Sequence, residues 1–118
     1  MGHFDTRAMW GQATAFINAD SNGGADITLI PALTAHVAVI DLLIYTADAA
    51  ASFVLESDGS SDTVIFPTIY LGAGDQFIVE DPGIRGLVGE AVKPTIVVTG
   101  NCSVFVKYHY EPALGAYA

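Results

Sequence analysis

The sequence predicts an all-β chain, a single antiparallel β-sandwich of jelly-roll type with about eight strands. Three observations predict it. Turn-forming clusters recur at short, regular intervals, as at Ser57-Asp58-Gly59-Ser60-Ser61-Asp62, Gly72-Ala73-Gly74-Asp75 and Gly100-Asn101. Short apolar runs between such clusters are the pattern of a sandwich or barrel. The second observation is period-two alternation. In Cys102–Tyr110 the even positions are Cys102, Val104, Val106, Tyr108 and Tyr110, and the odd ones Ser103, Phe105, Lys107 and His109. That is a half-buried strand. The third is size: 118 residues is one domain's worth of chain, enough to bury about two-thirds of its surface.

The elements follow in order. Gln12 to Asn18 reads as a first strand and Asp26 to Ile30 as a second. His36 to Tyr45 is apolar on both faces, which predicts a strand covered on both sides. Its β-branched content and the lack of a capped, acidic start argue against a helix. Ser52 to Glu56, Thr63 to Leu71 (interrupted at Pro67) and Gln76 to Glu80 follow, the last ending at Asp81-Pro82-Gly83. Val92 to Thr99 and Cys102 to Tyr110 read as a hairpin around Gly100-Asn101. Residues 1–25 read as an N-terminal extension or arm that can include the first strand, 26–112 as the sandwich and 113–118 as a tail.

Composition excludes several functions. Thirteen acidic residues against four Lys+Arg give a net charge of -9. Nucleic-acid binding and attraction to an anionic membrane both need a basic face. No apolar run reaches the roughly 18 residues of a membrane helix. Hydrophobic residues make up 52% while charged ones are only 14%, fewer than the surface of a small monomer usually carries. The single Cys102 cannot form an intrachain disulfide and opens an apolar strand face, so it reads as a buried thiol.

No constellation argues for catalysis, and no cofactor is expected. His3, His36 and His109 are far apart; His109 with Glu111 on one strand face is two ligands, too few for a metal. Gly72-x-Gly74 is followed by Phe77 where a dinucleotide fingerprint has its third glycine, so it reads as a turn. Asp20-x-Asn22-x-Gly24-x-Asp26 spaces oxygen ligands as calcium loops do, although hairpin turns use the same residues. Asp20, Asn22 and Asp26 are therefore kept as a weak calcium candidate. Arg85 stands near Asp81 in a glycine-rich stretch, suited to an ion pair within the chain or between subunits.

The order of the motifs is similar to that of a known family. Val37-Ala38-Val39-Ile40-Asp41-Leu42-Leu43-Ile44-Tyr45-Thr46-Ala47-Asp48 is followed by a short strand and an Asp-Gly turn. Then come Pro67-x-x-Tyr70-Leu71-x-Ala73-Gly74-x-x-Phe77, Asp81-Pro82-Gly83, Gly89-Glu90-Ala91 and Val104-Phe105-Val106-Lys107-Tyr108. Over residues 33 to 111 this resembles the small jelly-roll virion proteins of tailed bacteriophages, especially the capsid decoration (cement) proteins. The resemblance implies a non-enzymatic homotrimer on the outer capsid surface, bound to the major capsid protein and stabilising the shell. Phe4, Met9, Trp10 and Phe16 are then the candidates for a capsid-contact arm. Val39, Leu43, Tyr45, Arg85 and Phe105 are the candidates for the trimer interface. The alternative is a carbohydrate- or receptor-binding sandwich of the tail-fibre kind.

Overall fold

The computed structural model describes residues 12–19 and 27–113. These contain seven strands and no helix: β1 (Ala13–Ala19), β2 (His36–Ala47), β3 (Ala51–Asp58), β4 (Thr63–Leu71), β5 (Gln76–Arg85), β6 (Ala91–Val98) and β7 (Cys102–Pro112). They form two antiparallel sheets, one ordered β1-β7-β2-β5 and one ordered β4-β3-β6. The chain is an antiparallel β-sandwich.

The pairing is that of one long hairpin rolled up. β1 pairs with β7, β2 with β5 and β3 with β4. Between the first and second of these pairs, Ile30 bridges Val92 at the start of β6. This nesting of first with last is how a jelly roll winds two Greek keys. The stretch expected as a strand at Asp26–Ile30 is reduced to that bridge. Val92 donates to the Ile30 carbonyl and accepts from the Leu29 and Ile30 amides. Two residues on, where the β6 backbone would next bond on the side away from β3, stands Pro94, which has no N–H to extend the ladder.

Two further expectations are corrected. Val92–Thr99 and Cys102–Tyr110 do not form a hairpin. β6 pairs with β3 and β7 with β2 and β1, so Gly100-Asn101 carries the chain between sheets. Asp48 fixes that crossing by accepting hydrogen bonds from the Asn101 backbone N–H at 2.6 Å and side-chain amide at 3.2 Å. A Cβ on residue 100 would collide with the Asp48 carboxylate and the Ala49 Cβ, so the crossing requires glycine. Nor does Asp81-Pro82-Gly83 end β5. The strand runs on to Arg85, with Asp81 and Gly83 at φ 47° and 70°. Leu42 pairs with Glu80 and Ile40 with Ile84, so three residues oppose Asp41 alone. A turn signal has become an edge-strand bulge, where proline is tolerated.

The core lies between the sheets. β2 contributes Ala38, Ile40, Leu43, Tyr45 and Ala47. Tyr45 stacks on Phe53 across the two sheets, with centroids 4.3 Å apart and an interplanar angle of 7°. The inward set on β2 changes parity because Asp41 is an extra residue against β7: Ile40 pairs with Tyr108 and Leu42 with Lys107. Burial lifts the Tyr45 hydroxyl well above its ordinary pKa, and among the described residues it finds no hydrogen-bond partner.

Candidate functional site

The outer face of the four-stranded sheet is where the alternation fails. β1 and β7 put their core residues inward, which leaves Thr14, Phe16 and Asn18 on the outer side of β1 and Ser103, Phe105 and Lys107 on that of β7. Register then aligns residues that are distant in sequence. Phe16 pairs with Phe105, Phe105 with Ile44 and Ile44 with Ile78. These four form one apolar row across all four strands. Its two ends are the most open, Phe16 at 66% and Ile78 at 51% exposure. A polar row flanks it on one side: Asn18, Ser103, Thr46 and Gln76, with the Thr46 and Ser103 hydroxyls 2.5 Å apart. On the other side run Thr14, Lys107, Leu42 and Glu80.

Farther along the same face, the Asp41 bulge meets a buried histidine. His109 is 4% exposed and pairs in register with Val39, which pairs in turn with Arg85. The imidazolium donates from Nδ1 to Asp41 Oδ2 at 2.7 Å and from Nε2 to Glu111 Oε2 at 2.8 Å. Arg85 donates to the other Glu111 oxygen at 2.8 Å, and the Gln12 amide donates to Asp41 at 2.9 Å. Burial pulls the His109 pKa down, but hydrogen bonds to the two carboxylates outweigh it and the pKa is raised. The His109 hydrogen bond, and then Arg85, hold the Glu111 carboxyl below its ordinary value. Both ring nitrogens are committed to carboxylates, so neither presents a lone pair to a metal. Among the described residues no group of three His, Cys, Asp or Glu side chains could hold a metal ion.

An open depression of about 760 Å³ lies at the end of the sandwich where β2 leaves its sheet. Its described lining includes Asn18, Asp48, Asp75, Gln76 and Asn101 and no aromatic ring. Its carboxylates are occupied: Asp48 caps Asn101, and Asp75 accepts from the Gly72 amide. The Asn101 hydrogen bonds hold the Asp48 pKa low. Cys102, which also lines the depression, is buried, and burial raises its thiol pKa. Gly74, with φ 79°, turns the chain between β4 and β5, so Gly72-x-Gly74 is a turn.

The site residues read from sequence divide as follows. Phe4, Met9, Trp10, Asp20, Asn22 and Asp26 lie outside the described residues. Phe16 and Phe105 stand on the outer apolar row. Arg85 is exposed and bound to Glu111 of its own chain, not to Asp81. Val39 faces outward but is buried at 7% exposure. Leu43 and Tyr45 are fully enclosed by the chain's own core. They have no surface to offer a neighbour, because the bulge at Asp41 turns them inward. Strict alternation placed them beside Val39. Ile44 and Ile78, which complete the row, were missed, as was Asp41. The one available signal was an apolar residue at an outer position of each strand. His109, which the sequence places with Glu111 on one strand face, is buried, with its ring nitrogens on Asp41 and Glu111. No protein-family model matches the chain, and no curated protein is similar to it in sequence.

Proposed function

We propose that this chain is a non-enzymatic structural protein of a virion, a capsid decoration protein. In this reading it trimerises, binds the major capsid protein on the outer surface of the shell, and holds the shell together. The observation that carries the reading is the apolar row Phe16–Phe105–Ile44–Ile78, exposed at both its ends. Contiguous apolar surface on a small domain marks an interaction site. The rolled-hairpin pairing agrees with the jelly roll that the resemblance over residues 33 to 111 implies. The net charge of -9 suits the outside of a capsid, away from packaged DNA.

The test is co-sedimentation with capsids assembled without this protein. The chain should pellet with them and raise the temperature at which they burst. Failure to pellet with such capsids overturns the reading. The rival reading, a carbohydrate- or receptor-binding sandwich, would use the polar depression, among whose described lining residues no aromatic ring stands for a sugar to stack on. In the decoration reading a glycan array should be blank.

A further inference from the structure

The geometry points to a trimer built as a β-prism, in which three copies turn the outer face of the β1-β7-β2-β5 sheet toward a common three-fold axis running along the strands. This rests on the trimeric reading above and names the surface that makes the trimer. The first argument is registry. Rotation about an axis parallel to the strands leaves each row at its own height. The apolar row of one copy therefore meets the apolar rows of the other two, forming a closed apolar layer between polar layers.

The second argument is complementarity at the prism corners. There β1 of one copy approaches β5 of the next. Phe16 comes beside Ile78 of the next copy, Asn18 beside Gln76, and Thr14 beside Glu80. Lys107 lies one strand farther in, roughly 5 Å away, within reach of that same Glu80. Each level thus matches apolar to apolar, amide to amide, and hydroxyl or ammonium to carboxylate.

The third argument is charge. A chain with a net charge of -9 repels its own copies over most of its surface. This face carries Asp41, Glu80 and Glu111 against Arg85, Lys107 and the doubly bonded His109, so it is balanced. Two of the chain's four Lys+Arg residues stand on it. Among the described residues the opposite face offers no equivalent. Its exposed Tyr70 and Val97 are separated in register by Ser52.

The test is light scattering on the eluting peak of a sizing column, for the wild type, Ile78→Lys and Val97→Lys. Ile78 and Val97 are comparably exposed, at 51% and 67%, so neither should be needed for the fold. The wild type and Val97→Lys should have the mass of three chains, and Ile78→Lys that of one, with the far-ultraviolet spectrum unchanged. If Ile78→Lys does not fold, Phe16→Glu at the other end of the row replaces it. A Thr14→Cys/Glu80→Cys chain should cross-link to a trimer under oxidation, since Cys102 is buried. A wild-type monomer or dimer overturns the prism, and so does a trimer that survives both row substitutions. Capsid co-sedimentation separates this from the reading above. A wild type that pellets while Ile78→Lys stays trimeric removes the prism alone. A trimer dissolved by Ile78→Lys that never pellets removes the decoration role alone.

Discussion

The two faces of β2 are both mostly apolar, and they do different things. The inner face packs Ala38, Ile40, Leu43, Tyr45 and Ala47 into the space between the sheets. The outer face carries Val37 and Val39, which are buried, and Leu42 and Ile44, which are only half-buried. Val39 lies between His109 on β7 and Arg85 on β5, in the polar cluster that roofs this end of the face. The difference teaches that hydrophobicity alone does not distinguish a core from a docking surface. What distinguishes them is whether a second layer of the same chain lies opposite.

Adjacent residues test the contrast most directly. Leu43→Ala should destabilise the chain by about 2–5 kcal/mol, the cost of a buried leucine truncation with its cavity. Denaturant unfolding measures it. If the loss is below about 1 kcal/mol, the inner face is not the closed layer described here.

His109→Ala probes the covered part of the outer face and should cost about 2–3 kcal/mol, because it leaves the half-buried Asp41 without its charged partner. The pH dependence carries the sign. A raised folded-state pKa makes the His109 contribution complete below its ordinary value of 6.5 and lost as pH climbs through the folded value. Glu111 is lowered, so its contribution is present above the ordinary 4.5 and lost as pH falls through the folded value. The melting temperature should therefore be highest between about pH 4.5 and 6.5. His109→Gln should remove the decline on the alkaline side and leave the acidic one.

Tyr45→Phe is expected to stabilise the chain by about 1 kcal/mol, since it deletes a buried hydroxyl that makes no hydrogen bond among the described residues. A loss in thermal unfolding would mean that the hydroxyl is satisfied. The smallest effect belongs to Ile44→Ser. In the dissociated chain it should change unfolding free energy by about 1 kcal/mol or less, while weakening self-association measurably by dilution.

Much of the fold was legible. β7 alternates without a break, so its inner and outer residues could be assigned from sequence. The start and end of β4 coincide with the predicted run, although Pro67 lies inside it. What could not be read are the places where alternation is broken by an inserted residue. Asp41 looks like any polar outer position, yet as a bulge it reverses the parity of everything after it. That single reversal turned Leu43 and Tyr45 from interface candidates into core. Asp81-Pro82-Gly83 has the composition of a turn because a bulge on an edge strand demands the same backbone freedom. The pairing partner of β7 was misread for a different reason. Gly100-Asn101 specifies a sharp reversal but not whether the chain returns in its own sheet or the other. The apolar row was half visible, in Phe16 and Phe105. Ile44 and Ile78 join it only through register between strands far apart in the chain.

The nesting of first strand with last bears on how the chain reaches this state. β3 and β4 are neighbours in sequence and can pair early. β1 has to wait for β7, which lies at the far end of the described chain. Contacts of such high sequence separation close slowly. Until they close, the inner residues of β1 and β2 and the row on their outer side are exposed together. Folding of newly made chains should therefore be slower than that of a helical domain of this length, and most prone to aggregation before β7 is available.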